Sequence, residues 1–316
     1  MRKFDLTLSQ AVEGYVLERR VELKATTLEN YGYALQKFQA HFASDPPINN
    51  ITAQQVNAFL FGFAKRSKPL SMKSLLNIHT VLSSLWTWAT REGYAAHHVV
   101  RAVPAPNPEK RAIVPYTKED VKGMLEACGS TRSYIRPGKR ECANSRPTAM
   151  RDQAVVRMLL DTGIRASELC DLRLEHLDAK NQRVKVFGKG SKERIIRVGR
   201  RTTRAIWRYL TARPDARLSD PLFVATGEVS QPMTRSSLYH LVRRLGDRAK
   251  VVPAAYPHRF RHTFAVSFLR NGGDVFSLQS LLGHSSLEMV HRYVALAQTD
   301  TENAHRRASP VDNWRL

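Results

Sequence analysis

Tyr293 and His284 stand nine positions apart in "LGHSSLEMVHRYV" (282–294), and Arg165, Lys189, His258 and Arg261 lie upstream of them. On one unbroken helix, nine residues at about 100° each would leave the pair on opposite faces. Gly283 is a helix stopper, however, and Ser285 with Glu288 three places on has the form of a capping box. The sequence therefore predicts one helix ending near Leu282 and a second beginning at Ser285. His284 then occupies the corner and Tyr293 the far end of the second helix, which leaves the two free to converge.

The other four residues sit in short motifs. In "PHRFRH", Pro257 suits a helix start, and His258 and Arg261 share a face at i, i+3. That pairing predicts a cationic, hydrogen-bonding surface at the positive end of a helix dipole, suited to an anion. His258 and His262 also have the i, i+4 spacing of zinc ligands, but no glutamate lies between them, and Arg259 and Arg261 would repel a dication. In "DTGIRASEL", Arg165 follows a helix closed by Gly163. In "GKGSK", Lys189 sits at a hairpin tip. A phosphate loop is excluded there, because Arg183 stands where its first glycine belongs and no Ser or Thr follows Lys189.

These residues need elements to hold them. Residues 7–103 read as four or five helices, with apolar residues at three- and four-residue spacing and Thr26, Thr52 and Ser71 as caps. The stripe residues Leu28, Tyr31, Leu35, Phe38, Leu82, Leu85 and Trp86 are expected in a core. "VPAPNPEKRAIVP" (103–115) breaks the pattern with four prolines, which places a helical domain at 1–105, a linker at 106–115 and a second domain at 116–316. A basic stretch at 129–148 reads as a surface loop, either a solvated insertion or a DNA contact. Beyond it the pattern predicts helices at 149–162, from 165, and near 200–212, 234–249, 258–271, 274–282 and 286–294. The alternating strands of "QRVKVFGKGSKERIIRVG" make a hairpin among them. The fold class is mostly α with a small antiparallel sheet, and the second domain is α+β.

Composition narrows the partner. With 50 Lys+Arg against 28 Asp+Glu, the formal charge is +22, and residues 106–316 carry +17 of it. Such an imbalance points to a polyanion, nucleic acid ahead of a membrane surface. Cys128, Cys142 and Cys170 form no CxxC pair and read as reduced thiols, with no zinc site. No apolar run approaches the roughly 18 residues of a membrane span, and no signal peptide is legible, so a soluble cytoplasmic protein is expected.

Taken in order, Arg165, Lys189, His258-x-x-Arg261, His284 and Tyr293 resemble the tyrosine recombinase (phage integrase) family, its Xer-like members most of all. "TGIRASEL", "GKGSKER", "PHRFRHTFA" and "LLGHSSLEMVHRYV" fall at family-like spacing, and the likeness covers the whole chain. Where members often carry threonines shortly before the tyrosine, this chain has Met289 and Val290.

The resemblance implies a core-binding (SAM-like) helical domain before a catalytic domain, the two clamping double-stranded DNA. It also implies a homo-tetramer on two synapsed duplexes, alone or with a sister recombinase. Tyr293 would be the nucleophile, Arg165 and Arg261 the phosphate clamp, and Lys189 the general acid. His258 and His284 would support proton transfer and the transition-state charge, with no cofactor and no metal.

The chemistry is coherent. Attack of a phenol on a phosphodiester builds charge on the non-bridging oxygens, which arginines meet with two parallel N–H bonds each. A phenol with a pKa of about 10 must lose its proton, work expected of His258, and the 5′-oxygen must gain one. The product would be a 3′-phosphotyrosyl DNA with a free 5′-hydroxyl. A type IB topoisomerase-like enzyme would use the same chemistry on one duplex, and a non-catalytic DNA-binding protein could share the scaffold.

Overall fold

Helix caps set the first four helices of this computed structural model, which describes residues 6–65, 67–109, 112–129, 146–188, 193–225, 231–283, 288–297, 309 and 311. Thr7 and Thr52 each accept the backbone N–H of a glutamine three residues on, and that glutamine bonds back, forming capping boxes for α1 (Leu8–Glu22) and α3 (Ala53–Ala64). Ser71 caps α4 (Met72–Arg91). The expected cap at Thr26 is a correction: α2 (Ala25–Gln39) begins one residue earlier, after an extended Lys24, so Thr26 lies in its first turn.

The chain divides into two units, Met1–Arg111 and Ala112–Leu316. In the first, Leu35, Phe38, Leu82, Leu85 and Trp86 are fully buried as the stripe predicts, while Leu28 and Tyr31 are half-buried at its edge. Phe38 meets Phe59 and Trp86 edge-on, which adds directional contacts to the apolar packing.

The second unit starts by tying down the end of the proline-rich stretch. Arg259, 1% exposed, donates to the carbonyls of Val114 and Pro115 and stacks over Tyr116. Residues 113–116 are therefore held against a helix of this unit, where the proline content alone suggested a free connector. Then come α5 (Lys118–Ala127), α6 (Ala149–Thr162) and α7 (Ala166–Cys170). Most of the basic stretch 129–148 lies outside the described residues; at its end Arg146 pairs with the buried Asp152 at 2.7 Å.

The hairpin is formed by β2 (Arg183–Phe187) and β3 (Glu193–Arg197), antiparallel with Val184 opposite Ile196 and Phe187 opposite Glu193. Val184, Val186 and Ile196 point into the core. A two-residue strand, β1 (Leu177–Asp178), extends the sheet on the β2 side and was too short to leave a pattern in the sequence. The remaining helices are α8 (Arg200–Leu210), α9 (Arg235–Arg248), α10 (Pro257–Arg270), α11 (Val275–Leu282) and α12 (Glu288–Ala297). Residues 284–287 are outside the described set, and with them the expected capping box at Ser285. α10 packs against α6, α11 and α12 and is the element on which the site is built. Cys128 and Cys170 are buried free thiols. No described helix is long and apolar enough to cross a membrane.

Candidate active site

Two glycines in the left-handed conformation end α6 and α11: Gly163 at φ 59° and Gly283 at φ 63°. Such ends leave backbone carbonyls without intrahelical partners. Arg261, one turn into α10, takes one from each region, donating to the carbonyls of Gly163 at 2.9 Å and Leu282 at 2.7 Å. Its guanidinium is 1% exposed, so the surface cation expected from the i, i+3 spacing is instead a buried strut between two helix ends. Burial, and then the neighbouring charge of Arg165, lower its pKa to about 10. It remains a cation at neutral pH.

Arg165 follows Gly163 and occupies the N-cap of α7. Its side chain, 34% exposed, donates to Glu168 at 2.8 Å and to the carbonyl of Gly283 at 3.1 Å. Glu168 is nearly buried and also receives both terminal nitrogens of Arg194 from β3, at 2.9 and 2.7 Å. Arg194 donates its Nε to the carbonyl of Leu281 at 3.1 Å. Burial alone would raise the Glu168 pKa. Hydrogen bonds from Arg194 and from the backbone N–H of Arg165, with the charge of Arg194, override it and bring the value down to about 2. A buried carboxylate thus holds the exposed arginine in place, and Arg194 joins the hairpin strand to the same point.

His258 sits in the first turn of α10 with its ring partly open to solvent. The surrounding protein, then Arg261 and Arg165, lower its pKa below 6.5, so it is neutral at pH 7. One turn on, the ring of His262 meets that of His258 edge-on with centroids 4.6 Å apart. His262 Nδ1 lies 2.9 Å from the hydroxyl of Tyr293 on α12. Tyr293 is 2% exposed, in an apolar cluster with Val266, Leu269, Leu278, Leu282 and Val290. Burial raises its pKa above 10, opposed by the charges of Arg261, Arg292 and Arg165.

Four of the six residues singled out by spacing, Arg165, His258, Arg261 and Tyr293, therefore gather around the start of α10. Lys189 and His284 lie outside the described residues, flanked by the ends of β2 and β3 and by Gly283 respectively. Three partners were not singled out. Glu168 and Arg165 form an R-x-x-E pair at a helix start, which was legible; Arg194 shares the "GKGSKER" motif; His262 was weighed only as a metal ligand. Among the described residues, no group of three or more His, Cys, Asp or Glu is placed to hold a metal ion. Beside His258 opens a groove of about 490 Å³ lined by Arg235, Arg243, Tyr239 and Tyr256.

Residues 117–300 match the phage integrase family, and residues 13–93 match the phage integrase N-terminal SAM-like domain. Tyrosine recombinase XerD of Mycobacterium tuberculosis is 29% identical over 91% of this chain and 93% of its own length. Tyrosine recombinase XerC of Staphylococcus carnosus is 27% identical over 94% and 95%. Among solved structures, a lambda integrase dimer bound to a COC′ core site aligns with TM-score 0.72 at 18% identity, covering 94% of this chain and 79% of that one. The XerH site-specific recombinase bound to palindromic difH substrate aligns with TM-score 0.70 at 19% identity, covering 95% and 84%. A lambda integrase tetramer bound to a Holliday junction aligns with TM-score 0.70 at 18% identity, covering 90% and 79%.

Proposed function

The chain belongs to the phage integrase family, and on that premise we propose that it cuts and rejoins DNA strands at a specific site through a covalent 3′-phosphotyrosyl intermediate. The observation that carries the reading is the meeting of a half-open arginine, a buried arginine, a neutral histidine and a tyrosine hydroxyl at the head of one helix. Arg165 offers donors to a non-bridging phosphate oxygen. Arg261 supplies positive charge from behind, held where it cannot relax away. A fixed donor of this kind is typically worth about 3–4 kcal/mol to the transition state. His258 and His284 add hydrogen bonds to the same charge, and Lys189 protonates the departing 5′-oxygen. The new phosphodiester conserves the energy of the old one, so rejoining needs no external energy source.

At 2% exposed, Tyr293 reaches a phosphorus only after its cover withdraws, a step we assign to DNA binding. The groove beside His258, with Arg235 and Arg243, would carry the strand past the site. The charge of +17 on residues 106–316 makes that half the main phosphate reader. The DNA-bound neighbours support a working assembly of four protomers on two duplexes, alone or with a sister recombinase, acting in the cytoplasm.

The test is a nicked duplex carrying the site recovered by binding selection from random DNA. On it the protein should form an SDS-resistant adduct to the 3′ end, release a 5′-hydroxyl strand, and do so in EDTA. Loss of cleavage in EDTA restored by magnesium would replace this reading with a metal-dependent one.

A further inference from the structure

Formation of the tyrosyl–phosphorus bond requires that the phenol proton go somewhere. Burial raises the Tyr293 pKa above 10, so the resting hydroxyl is protonated. Arg165 and Arg261 favour the phenolate, but a guanidinium has no lone pair to take the proton. Imidazole Nδ1 of His262 does, and it stands 2.9 Å from the hydroxyl. The contact is fixed by packing: His262 is on α10 and Tyr293 on α12, two helices held face to face by the apolar cluster around Val266 and Val290. His258, one turn earlier and open to solvent, faces the position where the phosphate oxygens would lie.

We propose that His262 is the general base of cleavage and, in reverse, the general acid of rejoining. This rests on Tyr293 being the nucleophile. In cleavage the O–H bond of Tyr293 breaks and its proton passes to His262 Nδ1, while the electron pair forms the Oη–phosphorus bond. The bond from phosphorus to the 5′-oxygen breaks, and that oxygen takes its proton from the general acid. In rejoining, the imidazolium of His262 returns the proton to the departing tyrosinate. The assignment divides the labour: His262 serves the nucleophile, and His258, expected from the sequence to take this proton, serves the non-bridging oxygens.

The experiment is single-turnover cleavage of the nicked duplex by the full chain, with His262→Ala and His262→Asn, alongside DNA affinity and thermal unfolding. Both variants should bind DNA like wild type and cleave about 10²–10⁴-fold more slowly, the usual loss for a missing base. Asparagine keeps a hydrogen-bonding partner for the hydroxyl but takes no proton, so its defect separates proton transfer from positioning. Imidazole added to His262→Ala should restore cleavage, and more basic imidazoles should restore more. His262→Asn, close in size, carries the test if the alanine variant fails to fold. Near wild-type cleavage by His262→Asn would overturn the proposal. So would faster cleavage by His262→Ala, which would make the contact a restraint on the tyrosine. Failure of the wild-type protein to form any adduct would instead remove the functional reading on which the proposal stands.

Discussion

Glu168 does no chemistry of its own, yet the exposed arginine of the site depends on it. Its carboxylate, 5% exposed, holds Arg165 and Arg194 together, and its pKa falls to about 2 from the ordinary 4.5. A carboxylate with a depressed folded pKa contributes stability above the unfolded value and loses it as pH falls toward the folded one. The shift corresponds to about 3 kcal/mol, fully present at pH 7 and lost between about pH 4.5 and 2. Glu168→Gln should therefore unfold at lower urea at pH 7, and its deficit should narrow by roughly 1 kcal/mol by pH 4. A deficit unchanged between the two pH values would show that the carboxylate's charge is not what holds the arginines. At this scale the sequence was partly readable. The spacing of Arg165, His258, Arg261 and Tyr293 picked out groups that do meet. Which imidazole touches the hydroxyl was not readable, because one turn of α10 separates His258 from His262 and only the packing of α12 selects between them.

Glycine at the ends of α6 and α11 was legible as a pair of helix stops; the consequence was not. Arg261 binds the carbonyls beside both glycines, a convergence set by how α6, α10 and α11 pack. The surface role predicted for it failed for that reason: orphan helix-end carbonyls are strong acceptors, and a buried guanidinium satisfies two at once. The two positions should differ in tolerance. A Cβ at Gly163 would lie 2.5 Å from Phe264 Cδ1 and 2.9 Å from Leu282 Cδ2, in a left-handed backbone. At Gly283 the nearest atom is the flexible Arg194 Nη1 at 3.3 Å. Gly163→Ala should lose about 2–4 kcal/mol, from backbone strain plus overpacking, and Gly283→Ala about 1–2 from strain alone. Urea titration of the two variants ranks them; equal losses would mean that the Phe264 ring yields freely. β1 was missed because two residues carry no periodicity, whereas the longer β2 and β3 showed their alternation.

Across the whole molecule, each unit has its own apolar core, and the basic excess is concentrated in the one that carries the site. No single motif identified the protein: the hairpin lysine, the histidine pair and the arginine after a glycine each have ordinary explanations. Their order along the chain carried the information, and family membership follows from it. One feature of the folded chain runs against a reading by exposure. Tyr239 and Tyr256, 47% and 37% exposed, line the groove beside His258, while Tyr293 is buried. The most direct measurement is therefore to trap the covalent adduct on the nicked duplex, digest both protein and DNA, and identify by mass spectrometry the residue bearing the nucleotide. The nucleotide should be on Tyr293, and Tyr293→Phe should bind the same DNA and yield no adduct. A nucleotide on Tyr239 or Tyr256, or an adduct that survives Tyr293→Phe, would contradict the account.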